Sequence, residues 1–136
     1  MALSHVLVVE DDRDLGLTLA DILEMAGFPV VTATDGRLAL AYLRDAPTPC
    51  VILLDLMMPG MDGWEFRRRQ LQDPELSKIP VIIASGLNDL RLSPEFDGVD
   101  ALFRKPYEVP HLLEVVRRYC TPSEGVTEGD RTLVPA

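Results

Sequence analysis

The apolar run Cys50-Val51-Ile52-Leu53-Leu54 ends on a carboxylate, Asp55, and passes at once into Leu56-Met57-Met58-Pro59-Gly60-Met61-Asp62-Gly63. A short run of β-formers that closes on an acid, followed by a loop with proline and glycine, describes a buried strand carrying one carboxylate to the loop edge of a sheet. An acid in that position is costly unless something uses it.

The rest of the chain supplies the sheet and its cover. His5-Val9 reads as a first strand, and Leu15, Leu19, Ile22, Leu23 and Ala26 then recur on one helical face that ends at Gly27. Pro29-Ala33 is a second β-rich piece. Asp35 can cap a helix running to Ala46 that buries Leu38, Tyr42 and Leu43, and Pro47-Thr48-Pro49 closes it. Beyond Asp55, Gly63 to Leu71 reads as a third helix whose Arg67-Arg69 run is expected on a solvated outer face, and Pro74 to Pro80 as a connection. Ile79-Ala84 is a fourth strand and Ala101-Phe103 a short fifth. Pro110 opens a last helix that buries Leu112, Leu113, Val116 and Tyr119. This repeated βα order predicts a parallel sheet with helices on both faces. Between Gly86 and Asp100, Pro94 and Gly98 interrupt any steady period, so a fourth helix there is expected to be short or irregular. Residues 1–120 thus read as one domain, and Thr121 to Ala136, rich in Pro, Gly, Ser and acids, as a flexible tail.

Charge and cysteine content narrow the function classes. A net charge of -9 over 136 residues argues against binding a phosphate backbone, which needs clustered Lys and Arg, and suits a cation site or protein partners. Apolar stretches such as Val6-Val9 and Val51-Leu54 are far too short to cross a bilayer, and the first residues lack the pattern of a secretory signal. A cytoplasmic location is the expectation, without membrane or nucleic-acid partners. Cys50 and Cys120 lack metal-ligand spacing and read as small core hydrophobes, with no disulfide expected.

In an open parallel sheet the carboxyl ends of the strands form the ligand crevice, and Glu10-Asp11-Asp12, Asp55, Ser85 and Lys105 all fall at or just past such ends. Each has a plainer reading alone: Asp11 or Asp12 as a helix cap, Ser85 in a turn, Lys105 on the surface. Together they make one device. Carboxylates from Glu10, Asp11 and Asp55 repel one another, so the site requires a divalent cation or carboxyls held partly protonated. Oxygen ligands with room for water suggest Mg2+. A carboxylate beside that ion can accept a phosphoryl group as an aspartyl-phosphate, with Lys105 as a movable point charge on the transferring oxygens.

The segments Val8-Val9-Glu10-Asp11-Asp12, Leu53 to Gly63, Ile83-Ala84-Ser85-Gly86 and Arg104-Lys105-Pro106-Tyr107 resemble, in order and spacing, the signature of two-component response regulator receiver domains, over roughly residues 4 to 120. The resemblance implies a flavodoxin-like, doubly wound (βα)5 α/β fold with strand order 2-1-3-4-5. It implies Asp55 as phosphoacceptor, and Asp11, Asp55 and the Met57 carbonyl as Mg2+ ligands with Glu10 acting through water. Ser85 and Lys105 would contact the phosphoryl group, and Pro106 would follow a cis peptide. Leu102 stands where the family usually has a mobile aromatic, and Gly86 where it usually has alanine; motion of the Gly86 loop is therefore expected to carry more of the response than a side-chain swing.

Two function classes follow. One is a receiver phosphorylated by a histidine kinase or phosphotransfer protein, a monomer or weak phosphorylation-dependent dimer that switches a surface for a downstream protein. The other is a receiver-like interaction module that works without phosphorylation. An enzyme is not expected: a haloacid-dehalogenase-type phosphatase would want an acid at Met57, and there is no nucleotide-binding glycine loop.

Overall fold

The computed structural model describes residues 5–58, 60–85, 101–104 and 108–121. Strands β1 (Val6–Val9), β2 (Val30–Ala33), β3 (Val51–Leu54), β4 (Val81–Ser85) and β5 (Ala101–Arg104) form one sheet of order 2-1-3-4-5. Every pairing is parallel. Helices α1 (Arg13–Met25), α2 (Gly36–Asp45) and α3 (Gly63–Gln72) connect the first strands, a 3-10 turn at Leu76–Lys78 precedes β4, and α4 (Val109–Arg117) follows β5. This is the flavodoxin-like architecture expected. The expected fourth helix lies outside the described residues, as do Gly86, Lys105, Pro106 and the tail beyond Thr121.

Side-chain alternation explains the two layers. Leu7, Val9, Ile52, Leu54, Val81 and Ile83 point to one face, where α2 and α3 add Ala39, Leu40, Leu43 and Phe66. Val6, Val8, Val51, Leu53, Ile82 and Ala84 point to the other, covered by Leu19, Ala20 and Leu23 of α1 and Leu112, Val115 and Val116 of α4. Strands β1, β3 and β4 are therefore apolar on both faces, as a sandwiched parallel sheet requires. Burying each such Leu, Ile or Phe contributes about 1.5–3 kcal/mol.

Carboxylate caps start three of the helices. Asp12, Asp35 and Asp62 accept from the amides of Leu15 (3.1 Å), Leu38 (2.9 Å) and Glu65 (2.9 Å), each contributing about 1 kcal/mol. At the other end of α1, Gly27 adopts φ 99°, and the amide of Phe28 donates back to the Leu23 carbonyl at 3.0 Å. That turn drops Phe28 into the core.

Three expectations are corrected. Cys50 and Cys120 form a disulfide, joining residues 70 apart in sequence. Arg67 is not on the solvated face but 3% exposed; its Nη1 donates to Gln70 Oε1 at 2.8 Å, and Gln70 Nε2 donates to the carbonyls of Leu76 (3.0 Å) and Ile79 (3.1 Å). This buried polar chain ties α3 to the entry of β4, while Arg68 and Arg69 do face solvent. On α2 the inward residues are Ala39, Leu40 and Leu43, with Leu38 and Tyr42 only partly buried at the edge.

Tyr42 at that edge places its hydroxyl 2.8 Å from Nε2 of buried His5, the two rings meeting edge to face. Burial pushes the His5 pKa below its ordinary 6.5. The unfolded chain then takes up a proton before the folded one, so stability present at neutral pH falls as pH drops below 6.5 toward the lowered folded value. Urea unfolding at pH 7.5 and 5.5 should show this loss, and His5→Gln should make it smaller; equal losses in both chains would place the dependence elsewhere.

Candidate functional site

Register places the acids. Val9 pairs with Leu54 and with Ala33, and the ladder continues one step, with the Glu10 amide donating to Ala33 and the Asp55 amide to Val9, each at 3.0 Å. Glu10 and Asp55 therefore emerge side by side at the carboxyl ends of the two central strands. Both are buried, at 5% and 6% exposure, whereas Asp11 is open to solvent. Carboxylate oxygens of Glu10, Asp11 and Asp55 all lie within 4.8 Å of one another.

The backbone holds these groups before any ligand arrives. Glu10 Oε2 accepts from the Asp12 amide at 3.2 Å, which orients it, while Asp12 itself turns away to cap α1. The Met57 amide lies 3.4 Å from Asp55 Oδ1, a long contact that turns the loop around the carboxylate. Gly63, the first residue of α3, donates its amide to Leu56 at 3.0 Å. A Cβ there would come within 2.6 Å of Leu56 Cα and 2.7 Å of the Asp55 carbonyl, so the start of α3 rests directly on the backbone of the acid. A cavity of about 170 Å3, lined by Glu10, Arg13, Gly16, Leu17, Thr32 and Thr34, opens beside the cluster.

The donor set fits Mg2+. An octahedral ion with bonds of about 2.0–2.1 Å spans opposite ligands about 4.2 Å apart, so oxygens spread over 4.8 Å need a small adjustment or one water bridge. Only oxygen is offered, and the exposure of Asp11 leaves room for the waters that Mg2+ retains.

Ser85 ends β4, one residue past the level of Asp55, and pairs in register with Arg104. Leu102 lies within β5, opposite Ile83. Met57, whose carbonyl was expected to face a metal, has a side chain 57% exposed beside Asp55. Gly86, Lys105 and Pro106 belong to the same expected site but lie outside the described residues. Sequence reasoning missed the steric role of Gly63 and the orienting contact from Asp12 to Glu10; the glycine directly after the capping Asp62 was the available signal for the first.

Comparison with known proteins points to one family. The family model described as response regulator receiver domain matches residues 6–117. The DNA-binding dual master transcriptional regulator RpaA of a Synechocystis species is 32% identical over 96% of this chain, and the phosphate regulon transcriptional regulatory protein PhoB of Rhizobium meliloti 35% identical over 85%. The chain spans 59% and 51% of the length of these two curated relatives. Among solved structures, a response regulator receiver protein from Pseudomonas putida superposes with a TM-score of 0.80 at 27% identity, covering 87% of this chain and 98% of that one.

Proposed function

Because the chain belongs to the response regulator receiver domain family, we propose that it is a phosphorylatable signalling receiver whose phosphoacceptor is Asp55. The observation that carries this reading is the convergence of Glu10, Asp11 and Asp55 within 4.8 Å at the ends of β1 and β3, with Asp55 buried and its amide bonded to the Val9 carbonyl. A carboxylate oxygen of Asp55 attacks phosphorus, the bond from phosphorus to the donor's nitrogen or oxygen breaks, and the donor leaves with its electron pair. Asp11, Asp55 and the Met57 carbonyl would hold Mg2+, with Glu10 supporting through water, and the ion when bound would supply charge neutralisation on the transferring oxygens. Ser85, the last residue of β4, and Lys105 contact those oxygens. The donor is a histidine kinase or phosphotransfer protein, and the readout is an altered surface for a downstream protein, with Gly86 and its loop moving more than Leu102.

This unit comprises residues 1–120, with 121–136 a tail. It acts in the cytoplasm as a monomer or weak phosphorylation-dependent dimer, and does not itself bind nucleic acid or membrane. Incubation with acetyl phosphate and Mg2+ should add the mass of one phosphoryl group to the native chain and none to Asp55→Asn. An unmodified native chain would favour the alternative, a receiver-like module that signals without phosphorylation.

Metal binding has its own readout. At roughly ten times its dissociation constant Mg2+ should stabilise the fold by about 1.4 kcal/mol, raising the melting temperature. Asp11→Ala should remove most of that gain. A native melting temperature indifferent to millimolar Mg2+ would count against the assignment.

A further inference from the structure

The opposite, amino edge of the sheet holds a second group of reactive side chains. The disulfide joins Cys50, the residue leading into β3, to Cys120, just past the end of α4, with Cα atoms 5.5 Å apart. Cys120 is 4% exposed among Val115, Val116 and the α1 side chains, whereas Cys50 is only half-buried at the rim of that layer. Cys50 Sγ also lies 3.2 Å from the His5 carbonyl oxygen, which already accepts the Cys50 amide at 2.8 Å.

These positions give the two sulfurs different roles. A reagent from solvent reaches Cys50 before Cys120. After cleavage the Cys50 thiol has the His5 carbonyl as an acceptor, and Cys120 sits as a small side chain in apolar surroundings that suit it. The reduced pair therefore leaves no buried polar group stranded, and the fold has a place for both states. In a reducing compartment, disulfides that form at all are mostly those that exchange.

We propose that Cys50 and Cys120 form a reversible thiol–disulfide exchange site for small thiols and disulfides of the glutathione class, whose bond pins or releases the carboxyl end of α4 against β3. In oxidation, the Cys50 thiolate attacks one sulfur of the small disulfide, breaks its S–S bond and expels one small thiol. The Cys120 thiolate then attacks Cys50 Sγ in the mixed disulfide and expels the second. Two electrons pass from the protein thiols to the small disulfide, and their two protons end on the released thiols. Reduction retraces the same steps. Five residues of extended chain separate Cys50 from Asp55, about 16 Å, so the exchange stands apart from the reading of Asp55 and does not depend on it.

The test equilibrates the full chain in glutathione buffers from wholly reduced to mostly oxidised, starting from either form. Samples are quenched in acid, alkylated with iodoacetamide and weighed intact. The expected result is a passage from two alkyl adducts to none, reached from both directions, with faster hydrogen exchange over residues 109–121 in the reduced chain. Two adducts at every ratio, no adducts in fully reduced glutathione, or equal exchange in both states would each overturn the proposal. Variants fix the order of attack: Cys120→Ser should accumulate a glutathione adduct on Cys50, and Cys50→Ser should not. The reverse pattern would overturn it as well, and the native titration stands even if a variant fails to fold.

Discussion

Replacing Gly63 by alanine is expected to cost the fold about 3 kcal/mol, a large effect for a single methyl group. The added Cβ would sit 2.6 Å from Leu56 Cα and 2.7 Å from both the Asp55 carbonyl and Leu56 Cδ2. Two of these three neighbours are backbone, so no side-chain rotation relieves the overlap. Either α3 lifts away from the sheet, or the backbone at Asp55 and Leu56 moves and takes the carboxylate with it. Leu56 is fully buried and Phe66, one turn into α3, packs in the same layer, so both routes disturb the core. Gly16 supplies the control. A Cβ there would meet Glu10 Cβ at 3.9 Å, an ordinary contact, and the residue lies inside α1, so Gly16→Ala should be neutral or stabilising by up to about 1 kcal/mol. Urea midpoints of the two variants should move in opposite directions or at least differ sharply, and Gly63→Ala should also lose the Mg2+-dependent rise in melting temperature. Equal stability of both variants would show that the close approach of α3 to Asp55 is not what holds the site.

What the sequence disclosed and what it hid have physical reasons. The parallel sheet was legible because Val6-Val9, Val51-Leu54 and Val81-Ala84 are apolar at successive positions, which only a strand covered on both faces tolerates. The convergence of Glu10, Asp11 and Asp55 was legible because acids follow those runs directly. The three-arginine run was not. Successive residues on a helix point about 100° apart, so Arg67, Arg68 and Arg69 cannot share one face, and the inward direction fell to Arg67, whose partner Gln70 lies one turn on. Tyr42 reads as core by residue type, yet its hydroxyl holds it at the edge beside His5. Gly63 read as the start of the third helix, but its steric role stayed hidden, because the atoms it must clear belong to Asp55 and Leu56, and contact across a turn leaves no periodic trace.

The cysteine pair was hidden for a different reason, and it carries the other large expected effect. Spacing says nothing about pairing when 70 residues separate the partners. Closing a loop of that length restricts the unfolded chain by about 4 kcal/mol in the chain-entropy account. Some of that gain offsets distortion, so full reduction should lower stability by about 2–4 kcal/mol and the melting temperature by roughly 10 °C. Substitution then separates a bond from two independently packed side chains. Cys50→Ser or Cys120→Ser alone breaks the same covalent link, so each should reproduce most of the loss, and the double variant should add little to either. Had each cysteine served only as a small apolar filler, the two losses would sum, and buried Cys120 would cost more than half-buried Cys50. The native chain with reductant is the decisive reference: it should melt close to the double variant, and without reductant well above it. Coincident melting of the native chain in both conditions, with additive single losses, would return Cys50 and Cys120 to the role of core hydrophobes.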